Sequence, residues 1–592
     1  MFTTRPELAG TYGMVASTHW LASATGMAML ESGGNAFDAA VAAGFVLQVA
    51  EPHLNGPGGQ VPGIFVTAAD KTPRVLAGQG PSPAAATPEH FADLGLDLIP
   101  GSGLLPATVP GAWDGWLLLL RDHGTKSLRD VLGYAISYAR NGIPLVDRVG
   151  NTVSAVQQLF TDHWPTSAAL WLPDGKPPAP RALHRNPALA DTWERLLSEA
   201  ESVSGREAQL DAGRRAWSHG FVAEAIVAFN RQAFRDDSGR DHAGLLTGDD
   251  LANWSATYED ALVTDLGEWG LVKMGGWTQG PALAQQALLL NGFRDELSYV
   301  DGIPTARTVH LAVEAAKLAF ADREAWYGDT DVPLDVLLSA EYTAGRRKLI
   351  TDEASAELRP GFAGSAPKLP AILSELRGMA AGSGATGEPT IGPQGQTRGD
   401  TVHLDVVDAA GNMISLTPSG GWLQSSPTIP ELGFCLDSRG QMFWLEQGLP
   451  NSLRPGKRPR ITLSPSMALR DGEPTIAFGT PGGDQQDQWQ LCFWLAHTLG
   501  GLNLQESIDS PAWHTTAFPS SFYPRSWTPR ELVVESRLGR STIDTLASWG
   551  HDVIDAGDWA LGRLSAVSRD PRTGILRAAA NARGMQGYAA GR

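Results

Sequence analysis

The stretch Gly399-Asp400-Thr401-Val402-His403-Leu404-Asp405-Val406-Val407-Asp408 reads as a β-strand opened by a threonine. Val402, Leu404 and Val406 alternate with His403, Asp405 and Val407, which is the period of a pleated strand. Ala410-Gly411-Asn412 makes a turn into a second β-rich run over 413–417, so the two runs form a hairpin with Thr401 at its free edge. Just upstream, residues 379–399 are rich in Gly, Pro, Ser and Thr and have no apolar period, which predicts a mobile loop. A loop feeding a strand that opens with Thr suits self-cleavage between Asp400 and Thr401.

That arrangement serves the chemistry of N-terminal nucleophile hydrolases. In a precursor the Thr hydroxyl attacks the preceding carbonyl, the resulting ester is hydrolysed, and a Thr with a free α-amine remains. A hydroxyl is a weak nucleophile at pH 7, but an α-amine titrating near 8 in the same residue can take its proton. The competing reading of the local pattern is an ordinary Thr at the start of a surface strand. The rest of the chain decides between them.

Separated blocks along the chain resemble the γ-glutamyltransferase (γ-glutamyltranspeptidase) family. They are Gly13-Met14-Val15-Ala16-Ser17, Glu31-Ser32-Gly33-Gly34-Asn35-Ala36-Phe37-Asp38, Val49-Ala50-Glu51-Pro52-His53 and Gly56-Pro57-Gly58-Gly59 near the N-terminus. Midway comes the run from His310 to Lys317, then Phe320-Ala321-Asp322-Arg323; late in the chain come Leu463-Ser464-Pro465-Ser466 and Gly479-Thr480-Pro481-Gly482-Gly483. Their order and spacing around Thr401 carry the resemblance over nearly the whole length. It implies an α+β, four-layer αββα sandwich with Thr401 opening a central strand. It also implies a large subunit, 1–400, and a small one, 401–592, interleaved in one structural domain. Many relatives of this branch pair such units, which allows a dimer of αβ units.

By themselves the blocks read as helix, left-handed stop with an Asn cap, and helix over 21–30 and 36–49. Residues 308–325 read as a helix whose Glu314, Lys317, Asp322 and Arg323 form exposed pairs. Gly482 and Gly483 let backbone N–H groups converge near a helix N-terminus, and such a nest stabilises a developing oxyanion; the alternative is a tight strand-to-helix turn. The resemblance implies the oxyanion-hole role. It also implies that Ser419, eighteen positions after Thr401, assists the nucleophile by hydrogen bonding. Gly421 stands where the family often has an Asn.

The substrate positions depart from the family. Gln79 replaces the Arg that binds the glutamyl α-carboxylate. The Asp-bearing segment becomes Leu436-Asp437-Ser438-Arg439-Gly440-Gln441-Met442-Phe443-Trp444, with Gln441 at the pocket and apolar residues in place of the paired acids. The family's two serines become Ile461-Thr462. Loss of a bidentate Arg removes about 2–5 kcal/mol from a bound carboxylate. These changes argue against a zwitterionic glutamyl group. Arg439, Arg454, Arg458 and Arg460 offer a cation from another direction, with at least three of them read as surface arginines. Oxamate amidohydrolase and cephalosporin (glutaryl) acylases are branches of this kind. A small amide such as oxamate is the expected substrate, ahead of glutathione-like γ-glutamyl compounds and of an uncleaved binding protein.

With 592 residues and a net charge of −18, partners such as nucleic acid or anionic membranes are disfavoured. The N-terminus lacks an apolar signal-like run, so a cytoplasmic location is expected. Cys435 and Cys492, the two cysteines, sit in apolar surroundings and read as buried thiols. No His/Cys/Asp cluster has metal-ligand spacing, and the chemistry calls for no cofactor.

Overall fold

The computed structural model describes residues 2–378, 401–584 and 586–592, together with the backbone of 390–391 and 397–398. The expected loop at 379–399 and Asp400 of the expected cleavage site lie outside these residues. The principal strands are β1 (Gly13–Ser17), β2 (Val61–Val66), β3 (Trp269–Lys273), β4 (Leu404–Asp408), β5 (Met413–Leu416), β6 (Ser466–Arg470), β7 (Glu473–Gly479) and β8 (Ser565–Arg569). The principal helices are α1 (Trp20–Glu31), α2 (Ala36–Ala50), α3 (Gly280–Asn291), α4 (Ala306–Trp326) and α5 (Gln486–Thr498).

Two seven-stranded antiparallel sheets stack face to face. In one, Tyr588–Gly591, β1, β4, β5 and β2 lie side by side; in the other, β8, β7, β6 and β3 do. Three apolar layers follow from the two-residue period of the strands. Val402, Leu404, Val406 and Ile414 face α1 and α2. Leu271, Ala468, Ile476 and Phe478 face α3, α4 and α5. Met14, Ile64, Val407, Val272, Met467 and Ala477 meet between the sheets. The result is the αββα sandwich. No helix among the described residues is long and apolar enough to cross a membrane.

Local signals place the elements. Asn35 caps α2 by accepting from the N–H groups of Phe37 and Asp38, and Asp38 accepts from the Asn35 N–H in return. The β4–β5 turn has Gly411 at φ 101°. There the Asp408 carboxylate accepts from the N–H groups of Gly411 and Asn412, each at 3.0 Å, and from Ala36 N–H at 2.9 Å, tying the hairpin to the start of α2. The hairpin edge expected to be free is occupied: β1 pairs with β4 along its length. Every residue from Thr401 to Asp408 is buried, because this strand is covered on both faces.

The charges of α4 differ from expectation. Glu314, Lys317, Asp322 and Arg323 are all buried, since the helix is enclosed from 308 to 325. Burial requires partners, and they come mainly from elsewhere in the chain. Lys317 Nζ lies 2.7 Å from Glu314 Oε1, Arg359 reaches Glu314, Arg346 reaches Asp322, and Arg323 pairs with Asp484. Cys435 and Cys492 are buried and free of disulfides, and burial pushes both thiols up to about 12.

Candidate active site

The β4–β5 hairpin builds the centre of the site. Leu404 stands opposite Leu416 and Val406 opposite Ile414, so the same register, carried outward, sets Thr401 opposite Ser419. The backbone continues that way, with Val402 N–H donating to Pro418 O at 3.1 Å. Cross-strand partners sit within side-chain reach, and the Thr401 hydroxyl donates to Ser419 Oγ at 3.1 Å. Both residues are 1% exposed. The spacing of eighteen is therefore the width of a hairpin centred on Ala410.

The pleat puts three polar pairs on the face between the sheets: Thr401 with Ser419, His403 with Thr417, and Asp405 with Ser415. His403 Nδ1 lies 2.9 Å from Thr417 Oγ1 and its Nε2 2.9 Å from Asp405 Oδ1. Ser565 donates to Asp405 Oδ2 at 2.8 Å, and Ser415 donates to Phe478 O at 3.1 Å. The sequence reading assigned no role to this ladder. Its signal is a polar residue at every second position of a strand that has no solvent-facing side.

The second sheet brings the two glycines to the same end. Gly479, the last residue of β7, lies so close to the His403 ring that a Cβ there would meet its Cε1 at 2.3 Å. Three residues on, Gly482 and Gly483 adopt φ of 135° and 52° and lead through a short 3₁₀ turn into α5, which starts at Gln486. Only glycine tolerates such angles freely. A Cβ on Gly482 would also strike the Trp489 ring at 2.2 Å. Asp484, which follows these glycines, is held by Arg323 and by Ser521, whose N–H donates to it at 2.7 Å.

Ser419 is clamped by Gln60 through two backbone bonds, Gln60 N–H to Ser419 O at 2.7 Å and Ser419 N–H to Gln60 O at 3.1 Å. The neighbouring Gly58 and Gly59 permit this: Cβ atoms there would lie 2.1 Å from Cys435 O and 2.3 Å from Gly420 O. The side chain of Gln60 donates to Asp437 Oδ2 at 2.9 Å and accepts from Gly80 N–H at 3.1 Å. Asp437 also accepts from the Thr108 hydroxyl at 3.0 Å and the Arg439 N–H at 2.8 Å. Burial pushes its carboxyl up to about 6 against those donors.

The expected substrate positions divide. Gln441 donates to Gly101 O and Ser438 Oγ and accepts from Tyr523 N–H, so its amide is committed to the fold. Ile461 packs its side chain between the sheets and ties its backbone to Trp277 and Gln279. Gln79 is fully buried behind Gln60 and donates to Gly80 O, while its Oε1 has no hydrogen-bond partner among the described residues. Thr462 Oγ1 is likewise buried without one.

Only Arg454 of the four arginines is exposed, which corrects the reading of three as surface residues. Arg458 is part-buried between Asp329 and Glu259, at 2.8 and 2.6 Å, and Arg460 lies 3.1 Å from Glu324. Arg439 is buried, with its Nε against Gly420.

The gamma-glutamyltranspeptidase family model matches residues 22–591. The chain is 32% identical over 596 residues to the oxamate amidohydrolase proenzyme of Klebsiella pneumoniae, covering 98% of both. It is 30% identical over 586 residues to the glutathione hydrolase-like YwrD proenzyme of Bacillus subtilis, covering 97% of this chain and 98% of that one. Among solved structures, LmbA2991HD superposes with a TM-score of 0.93 at 56% identity, covering 100% of both chains. The cephalosporin acylase from Bacillus halodurans gives 0.81 at 26%, covering 100% of this chain and 97% of that one. With a family model matched almost from end to end around the Thr401–Ser419 pair, the chain belongs to the gamma-glutamyltranspeptidase family and is an amidohydrolase of the N-terminal nucleophile type.

Proposed function

We propose that the protein is a self-processing threonine amidohydrolase that splits a small amide such as oxamate. The observation that carries this reading is the buried hydrogen bond from Thr401 to Ser419, at the same end of the sandwich as the Gly482–Gly483 nest. The names of the relatives support a proenzyme and amide hydrolysis.

In the precursor, Thr401 Oγ attacks the carbonyl of Asp400, and water cleaves the ester to leave Thr401 with a free α-amine. That amine then takes the hydroxyl proton as Oγ attacks the amide carbon of the substrate. Gly482 and Gly483 N–H groups receive the oxyanion. The proton passes to the leaving nitrogen, ammonia departs, and water hydrolyses the acyl ester; oxamate and water give oxalate and ammonia. Cleavage leaves the subunits interleaved, because β1 of residues 1–400 pairs with both β4 and Tyr588–Gly591 of residues 401–592.

Gln79 in place of an arginine weighs against a γ-glutamyl substrate. A second reading, an acylase for a larger amide, draws on the fold shared with cephalosporin acylase. Intact mass of wild type and Thr401→Ala tests the first step: wild type is expected as fragments 1–400 and 401–592, the variant as one chain. Ammonia release from oxamate, set against aniline release from a γ-glutamyl anilide, tests the substrate. Two unbroken chains would overturn the mechanism.

A further inference from the structure

Two peptide planes carry the N–H groups of the Gly482–Gly483 nest, and neither N–H donates to an acceptor among the described residues. In a trans peptide the C=O and N–H point in opposite directions, so whatever grips the carbonyl aims the N–H. The plane that carries Gly483 N–H is gripped by backbone: Gly482 O accepts from Gln485 N–H at 2.9 Å within the 3₁₀ turn. The following plane, from Gly483 to Asp484, is held by Gln279, whose amide donates to Gly483 O at 3.2 Å. Among the described residues one side chain holds the plane that carries Gly482 N–H. It is Thr480, whose hydroxyl donates to Pro481 O at 2.7 Å and accepts from Arg563 N–H at 3.0 Å. Thr480 is fully buried directly after the end of β7. Its neighbour Gly479 packs on the ring of His403, two residues from Thr401, so this turn and the nucleophile share one frame.

We infer that Thr480 is a positioning residue for the oxyanion: its hydroxyl, fixed by Arg563 N–H, draws the Pro481 carbonyl to one side of the turn and so directs Gly482 N–H to the other. The inference rests on the oxyanion role given to the two glycines above, and Thr480 acts through Gly482 and not on the reacting atoms. The plane swings about ψ of Pro481 and φ of Gly482. The latter stands at 135° in a residue without a Cβ, so the chain itself resists the swing little. Packing alone does not call for a hydroxyl at 480, since a valine has the same shape; burying the hydroxyl is offset by the two hydrogen bonds it makes. A donor that is aimed beforehand strengthens its bond as charge develops on the oxygen, whereas one left to swing gives part of that up without weakening ground-state binding.

The test compares processed wild type, Thr480→Val and Thr480→Ser in two reactions. One is steady-state hydrolysis of oxamate. The other is the nitrophenolate burst with p-nitrophenyl acetate, a small activated ester whose acetyl group, located on Thr401 by peptide mass, reports acylation whatever the natural amide. Losing an oxyanion donor outright costs about 100- to 1000-fold in kcat, and a misdirected one less. Thr480→Val is therefore expected to lower kcat for oxamate and the burst rate constant about 10- to 100-fold, with KM for oxamate changed less than about threefold. Thr480→Ser keeps the hydroxyl and should return both rates to within about threefold of wild type. Wild-type rates in Thr480→Val, equal losses in the Val and Ser variants, or a loss confined to KM overturns the inference. If Thr480→Val fails to process, Thr480→Cys takes its place, because a thiol is a weak donor; Cys and Ser variants of equal rate then overturn it. A wild type that the ester acylates but that leaves oxamate intact overturns the proposed substrate, and the Thr480 series is read on the ester. Turnover of oxamate that Thr480→Val leaves unchanged does the reverse. A wild type inert to both overturns both.

Discussion

Removing the Ser419 hydroxyl takes away the acceptor of the Thr401 hydroxyl in a setting that cannot move to compensate. Ser419 is fastened to Gln60 by backbone bonds of 2.7 and 3.1 Å, so Ser419→Ala keeps the Cβ and the strand register and deletes only Oγ. The Thr401 hydroxyl then loses its 3.1 Å acceptor at a position that is 1% exposed. A buried hydroxyl left without its partner costs about 1–3 kcal/mol. At about 1.36 kcal/mol per tenfold in rate, this corresponds to about 5- to 150-fold. Ser419→Ala is therefore expected to slow self-cleavage and kcat by similar factors in that range, with KM changed little. Ser419→Thr, which restores a hydroxyl, should recover most of both. Self-cleavage followed by denaturing electrophoresis after a temperature shift, and single-turnover kinetics on the processed fraction, give the two rates. Wild-type rates in Ser419→Ala, or equal losses in the Ala and Thr variants, would refute the reasoning.

Other outcomes follow from the surroundings. Asp437 has a folded pKa raised to about 6 from the ordinary 3.8, so between these values the folded state binds more protons and stability falls as pH rises. Below about 6 the protonated carboxyl no longer offers two acceptors to Thr108, Gln60 and the Arg439 N–H, and kcat/KM should drop on the acid side; Asp437→Asn should abolish that limb in a pH–rate profile. Lys273 and Asp487 are both fully buried and 3.1 Å apart, so Lys273→Met leaves a lone buried carboxylate and should cost about 3–5 kcal/mol. A lowered urea midpoint should show this, and Lys273→Met with Asp487→Asn should regain most of it. Gly479→Ala drives a Cβ to 2.3 Å from the His403 ring, which Thr417 and Asp405 hold in place. The processed fraction by intact mass should fall, and normal processing would show that the polar ladder yields.

How far the sequence could be read depended on the range of each interaction. The β4–β5 hairpin was legible because pleat and turn are local: alternation marks the strand, Gly411 the turn, and register then follows. Even the partner of Thr401 was implicit, since a hairpin centred on Ala410 pairs 401 with 419. Asn35 at the start of α2 and the glycines at 482 and 483 were legible for the same reason, each serving backbone groups within a few residues.

What lay across the sheet or across a helix was not. Glu314, Lys317, Asp322 and Arg323 have the spacing of an exposed face, yet Arg346, Arg359 and Asp484 neutralise three of them from distant segments and allow the helix to be enclosed. Gln441 was a sound pocket candidate by position, but Gly101, Ser438 and Tyr523 use its whole amide. Arg439 resembles its neighbours Arg454, Arg458 and Arg460 in the chain, and only the packing of Gly420 and Trp422 distinguishes it. The sequence by itself determined the periodic, short-range features, because backbone hydrogen bonding and side-chain alternation repeat along the chain. Tertiary structure decided which charges are desolvated and which are spoken for, because that depends on what the opposite layer brings within a few ångströms.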